Sequence, residues 1–362
     1  MSPRFRGAGG CGAPVRRRRD GAAAKTGGWS RANGNSGVLE MIFSERWFDK
    51  ETGLEGEHIF YRSHDDLRLY VRKYGGNGLP GRPLLCLAGL TRNGRDFQAL
   101  ATALAQNPVQ PRPVYCLDYR GRGRSEWDQD WRNYSAYTEL LDVVSFLTLS
   151  GLNNIAVAGT SRGGIITMML AVMRPAAIGC AILNDIGPVI QTAGLARIMG
   201  YAGKIPVPRD WDEATSIVYE MFRRQFTVLG DHEWAAFARQ LFNEENGKPA
   251  AAYDPMVGKA LSEVDIAKPV PTMWEHFEAL AKVPLMVLRG ENSDILSSAA
   301  VREMQERHQD MTPVLIRNEG HAPLLNDRFS QRLVADFLAD ADKSWQAPKC
   351  SPLPEYKELA EA

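Results

Sequence analysis

The five residues Gly159-Thr160-Ser161-Arg162-Gly163 place a serine between glycines two positions away on either side. An apolar, strand-like run (NIAVA, 154–158) leads into this stretch, and a helix-like run (GGIITMMLAVM, 163–173) leads out of it. A hydroxyl at such a strand–turn–helix junction is set up to be a nucleophile. The glycines permit a tight turn, and the free N–H groups at the helix start face developing negative charge. A serine attacks a carbonyl only when a base takes its proton. Of the six histidines, His58 falls in an edge-like strand and His64 in a hairpin, while His232 and His276 fall in a helical stretch and His308 near a helix end. Only His321, in NEGHAPLL, follows a core strand at its C-terminal end, where the catalytic groups of open α/β sheets gather. The acid that orients it should also come from a strand end. Asp294 in LRGENSDIL is preferred; Asp185 in ILNDIGP is its main rival and Glu291 a third choice. With Asp294 the chain order is Ser, Asp, His, one of the known orders of this constellation.

Short apolar runs at 58–62, 67–74, 83–89, 113–119, 154–159, 180–185, 284–290 and 313–318 read as eight strands. Helical patterns at 96–106, 136–150, 163–174, 298–309 and 329–341 separate most of them. That alternation predicts βαβ units and a mainly parallel eight-stranded sheet flanked by helices, with the first two strands as an antiparallel start. Residues 190–281 hold helical stretches and no convincing strand, so they read as a helical cap inserted into a core of 41–189 and 282–342. The cap's aromatic residues, Trp211, Tyr219, Phe222, Phe226, Trp234, Phe237, Phe242, Trp274 and Phe277, either line an apolar pocket or form a helical core face.

The chain has 362 residues and a formal net charge of zero, but residues 1–40 carry eight Lys/Arg against Asp20 and Glu40. The remainder is therefore mildly acidic, which argues against a nucleic-acid enzyme. The basic segment has no apolar stretch of a secretory signal and reads as a disordered tail or a leader ahead of Met41; residues 343–362 read as a C-terminal tail. Cys86, Cys116 and Cys180 sit inside apolar strand-like runs, the pattern of buried thiols in a reducing, cytoplasmic compartment. No window is long and apolar enough for a membrane span, and no ligand cluster has metal spacing. The expected partner is a small, partly apolar substrate, with no metal or organic cofactor.

These motifs resemble those of the α/β-hydrolase superfamily over roughly residues 57–340. GTSRGG, GENSD and GHAPLL carry the likeness, together with DYRGRGRS (118–125) and LAGLTRNGRDF (87–97). The resemblance implies the α/β-hydrolase fold and acyl transfer through Ser161, Asp294 and His321. It also implies an oxyanion hole made by the N–H groups of Leu90 and Arg162. Two positions depart from the family pattern: Ala88-Gly89 stands where His-Gly is usual, and Arg122 replaces the histidine of RGHG-S. Both changes bear on loop structure more than on chemistry. A carboxylic ester or lactone is the expected substrate. Within the superfamily the same triad serves thioesters, amides and activated carbon–carbon bonds, and a ligand receptor with little turnover is the competing class. A cation at Arg162 opposes the helix dipole. Either a salt bridge with Asp185 or Asp118 compensates it, or the side chain reaches the pocket and recognises a substrate carboxylate.

Overall fold

A computed structural model describes residues 41–344 except 266, 267 and 269. The expected basic tail (1–40) and all but the start of the C-terminal tail lie outside the described residues. The strands are β1 (Ile42–Phe48), β2 (Glu55–Arg62), β3 (Arg68–Tyr74), β4 (Leu84–Leu87), β5 (Val114–Asp118), β6 (Ile155–Thr160), β7 (Ile178–Asn184), β8 (Phe242–Glu245), β9 (Lys248–Ala251), β10 (Leu285–Gly290) and β11 (Met311–Ile316). Nine of them form one sheet in the order β1-β2-β3-β5-β4-β6-β7-β10-β11. The pairs from β5 to β11 are parallel, and β1, β2 and β3 extend the sheet as an antiparallel edge. The eight expected strands are present, and β1 adds a ninth. The apolar run of β1 is broken by Ser44, Glu45 and Arg46 because it is a sheet edge whose central residues are exposed.

The helices are α1 (Gln98–Ala105), α2 (Ala136–Ser150), α3 (Arg162–Met173), α4 (Thr192–Tyr201), α5 (Trp211–Phe222), α6 (Asp231–Leu241), α7 (Met256–Ser262), α8 (Trp274–Glu278), α9 (Ser298–Arg307) and α10 (Arg328–Ala341). Apolar faces of α2, α3, α8 and α9 bury one side of the sheet, with Val143, Phe146, Ile166, Phe277 and Met304 fully covered. Leu100 and Leu104 of α1, with Val334 and Leu338 of α10, bury the other side. Each such side chain contributes roughly 1.5–3 kcal/mol through removal from water. Helix α2 is fixed at both ends: the Ser135 hydroxyl accepts the Thr138 N–H at 3.1 Å, and Gly151 closes it at φ +69°.

Residues between β7 and β10 build a second small core from Val218, Phe222, Phe226, Trp234, Phe237 and Phe242. Two features of this insertion differ from expectation. A hairpin, β8–β9, turns through Asn246 and Gly247 at φ +51° and +77°. Asn-Gly is a pair that such a two-residue turn, with positive φ at both positions, strongly favours. Phe277 and Leu280 pack into the main core beneath the sheet, so α8 belongs to the sheet's packing and not to the insertion's. Among the described residues, no helix is long and apolar enough to cross a membrane.

Candidate active site

Strand β6 lies between β4 and β7, so its C-terminal end opens near the middle of the sheet. The chain reverses there through Ser161, at φ +51° and ψ −112°, and enters α3 at Arg162. That backbone conformation costs a residue with a Cβ about 1–3 kcal/mol, and the surroundings must enforce it. The Ser161 N–H donates to the Asn184 carbonyl at 3.1 Å, and the N–H groups of Gly164 and Ile165 close the first helical turn on the Ser161 carbonyl. Gly163 is required by space: a Cβ there would fall on the Leu87 carbonyl of β4.

The structure brings His321 to this serine. Its Nε2 lies 2.8 Å from Ser161 Oγ and its Nδ1 2.8 Å from Asp185 Oδ2. An ionised carboxylate only accepts, so Nδ1 carries the ring proton and Nε2 accepts from the serine hydroxyl. Asp185, directly after β7, is fully buried. Besides the imidazole it receives the Ser293 hydroxyl at 2.5 Å and the Gly290 N–H at 2.9 Å. His321 is 9% exposed, and its loop is pinned where Asn184 Nδ2 donates to the Pro323 carbonyl at 2.9 Å.

The expectation that Asp294 orients the histidine is therefore corrected to Asp185. Asp294 is held elsewhere, by Arg197 of α4, whose Nε and Nη2 meet its two oxygens at 2.6 and 2.8 Å. Partial burial pushes the Asp294 carboxyl up, but the hydrogen bonds and charge of Arg197 outweigh that and hold it below the usual carboxylate range. Glu291, the third choice, accepts the Asn318 N–H at 2.9 Å and does not meet His321.

Of the two readings of the Arg162 side chain, the salt bridge is the one found, and only its partner is corrected. The side chain leaves the pocket, and its Nε lies 3.7 Å from Glu139 Oε2 on α2, not beside Asp185 or Asp118. Glu139 is fully buried, and its other oxygen lies 2.7 Å from Arg122 Nη2, also fully buried. Arg122 in turn donates from Nε to the Leu90 carbonyl at 2.9 Å and from Nη1 to the Arg120 carbonyl at 2.7 Å. The arginine that replaces the family's histidine thus braces the loop that carries Leu90. The N–H groups of Leu90 and Arg162 have no acceptor among the described residues. Leu90 lines the same pocket as Ser161, and Arg162 opens α3, so both remain available to an oxyanion.

That pocket, about 810 Å³ with its mouth, is walled on one side by loops at the sheet's edge, with Leu90, Ser161 and His321. The insertion supplies Ile198, Tyr201, Ile205, Phe222, Phe237 and Leu241 on the other. Phe222 and Phe237 serve both as pocket wall and as the insertion's core, whereas Trp234 and Phe226 are core alone. Arg92 and Asp96 also line it, locked in a two-pronged ion pair at 2.7 and 2.6 Å. Outside the pocket, His64, Asp65 and Asp142 come within metal-ligand reach of one another. Arg120 already occupies both carboxylates, with contacts of 2.5 to 3.0 Å, so exposed Asp65 and buried Asp142 are its ion-pair partners.

Glu319, two residues before the histidine, accepts the Leu324 N–H at 2.7 Å. Burial pushes its carboxyl up from 4.5 to about 7, against the lowering effect of that N–H. A carboxyl whose folded value is raised adds stability below its unfolded value, and this is lost as pH climbs through the folded one. Glu319→Gln keeps the acceptor without the charge. It should gain roughly 1–3 kcal/mol over the parent at pH 8.5, with the difference vanishing near pH 4.5. Urea unfolding at the two pH values measures this, and a gap independent of pH would refute it.

The architecture and the serine turn define a hydrolase of the α/β fold, and the chain belongs to the alpha/beta hydrolase family, whose model matches residues 84–336. Among its relatives is a 3-hydroxybutyrate-oligomer hydrolase from Cupriavidus necator, 30% identical over 282 residues, covering 76% of this chain and 94% of that one. A crystal structure of an alpha/beta hydrolase from Novosphingobium aromaticivorans superposes with a TM-score of 0.71 at 34% identity, covering 82% of this chain and 98% of that chain. An esterase from Exiguobacterium antarcticum shares the fold at 16% identity, with a TM-score of 0.58 over 77% of this chain and 98% of its own.

Proposed function

We propose that this enzyme cleaves a small or medium, partly apolar carboxylic ester, open-chain or lactone, through an acyl-enzyme on Ser161. The observation that carries the reading is the unbroken relay Ser161–His321–Asp185 at 2.8 Å per step, opening into an apolar pocket. His321 takes the serine proton as Oγ attacks the ester carbonyl. Asp185 keeps the imidazole in the required tautomer and stabilises its cation. The N–H groups of Leu90 and Arg162 receive the oxyanion, and His321 then returns its proton to the leaving alcohol. Water, deprotonated by the same imidazole, releases the acid. Similarity to an enzyme named for 3-hydroxybutyrate oligomers supports short aliphatic hydroxyacyl esters as the substrate class. Free, buried thiols at Cys86, Cys116 and Cys180 support a reducing, cytoplasmic setting.

The test joins a fluorophosphonate probe with p-nitrophenyl esters from acetate to octanoate and the variant Ser161→Ala. The parent should be labelled and turn over the short esters. Ser161→Ala should lose labelling and about 10⁴–10⁶-fold in kcat. A parent that is neither labelled nor active on any ester would point instead to a ligand receptor on a hydrolase fold.

A further inference from the structure

Gln225 belongs to the insertion, three residues beyond the end of α5, yet it touches the base. Its Oε1 accepts the backbone N–H of His321 at 3.1 Å, and the residue is only 7% exposed. The close approach is built in from the other side: a Cβ at Gly320 would collide with the Gln225 side chain, so the glycine ahead of the histidine makes room for it. The backbone of Gln225 is tied down too. Its carbonyl accepts Asn292 Nδ2 at 2.9 Å, its N–H donates to the Phe222 carbonyl at 2.8 Å, and two residues on the Thr227 N–H donates to the Asn318 carbonyl at 3.1 Å. Phe222 is itself a wall of the substrate pocket.

We infer that Gln225 is a positioning residue for His321, so that the base is held in register with Ser161 only while the insertion is seated on the sheet. The inference rests on the ester-hydrolase reading for its kinetic arm. The imidazole hangs from a loop after β11, and Asn184 pins that loop two residues further on. Without Gln225 the peptide of His321 itself has no protein acceptor among the described residues and must turn to water. The ring then samples orientations in which Nε2 misses the serine. Substrate that fills the pocket bears on Phe222, whose carbonyl holds Gln225, so occupancy of the pocket and placement of the base are mechanically joined.

The experiment compares Gln225→Met, which keeps size and removes the acceptor, with Gln225→Glu, which keeps an acceptor in place. On p-nitrophenyl acetate, Gln225→Met should lower kcat about tenfold, the equivalent of one lost hydrogen bond, with KM within about twofold. Gln225→Glu should recover kcat to within about threefold of the parent. A second readout does not depend on turnover: the downfield proton resonance of His321 Nδ1 should broaden or shift in the Met variant and persist in the Glu variant. Asn292→Ala, which frees the Gln225 carbonyl, should move both readouts in the same direction by less, and it supplies the test should the Met variant fail to fold. Unchanged kcat and resonance in a folded Met or Asn292→Ala variant would overturn the inference, as would a loss confined to KM. So would a folded Glu variant as impaired as the Met one. A parent without ester turnover whose His321 resonance still responds would sink the ester reading and leave the positioning role standing.

Discussion

Replacing Asp185 with asparagine is expected to lower kcat about 10⁴-fold, whereas Asp294→Asn should change it by less than about threefold. Asp185 is fully buried and accepts from His321 Nδ1, the Ser293 hydroxyl and the Gly290 N–H. An asparagine there offers one oxygen among those donors and can turn its amide N–H₂ toward the imidazole. The ring then places its proton on Nε2, where it faces the serine and cannot act as a base; loss of the orienting carboxylate in a triad typically has an effect of this size. Asp294 serves α4 through Arg197, so its replacement loosens a partly exposed ion pair worth on the order of 1 kcal/mol and leaves the relay intact. Melting curves and kcat for both variants decide the matter. A collapse of activity in Asp294→Asn with a healthy Asp185→Asn would reverse the assignment.

The difficulty of choosing between these two acids from sequence has a physical cause. Asp185 follows β7 and Asp294 follows β10, and those strands are hydrogen-bonded neighbours, so both acids emerge side by side at one edge of the sheet. Local pattern places each within a loop's reach of His321. What separates them is a partner for Asp294 that lies 97 positions away, on a helix of the insertion. Ser161 and His321 were legible because each is fixed by its own strand end. Arg162 was half legible: the helix dipole demands a counter-charge, but a demand does not name Glu139. The β8–β9 hairpin is a different case. Its Asn246-Gly247 turn is written plainly in the sequence, but the strands it joins are only four residues each, too short to show an alternating pattern. The alternation of strand and helix, by contrast, resolved nearly the whole parallel sheet, because buried strands must be apolar throughout. Edge strand β1, half exposed, carries no such mark.

Arg122 joins stability to chemistry, and Arg122→Met should damage both in a separable way. The guanidinium is fully buried against Glu139, which is itself fully buried, so its removal strands a carboxylate with only the 3.7 Å approach of Arg162. Breaking one side of a buried pair costs about 3–5 kcal/mol. It also releases the Leu90 carbonyl, the anchor of the loop whose N–H would meet the oxyanion. Losing one such donor typically lowers kcat about 10²–10³-fold, and a misplaced donor approaches that limit. The double variant Arg122→Met/Glu139→Leu takes the opposing charge away as well, and apolar replacement of a whole buried pair is often neutral or stabilising. Stability should then return toward the parent in urea unfolding, because both members of the fully buried pair are gone and the cation left without Glu139, that of Arg162, is partly exposed. Turnover should not return, because nothing restores the hydrogen bond to Leu90. Activity recovering in step with stability would mean that the pair serves the fold alone, and that the loop bearing Leu90 keeps its shape without Arg122.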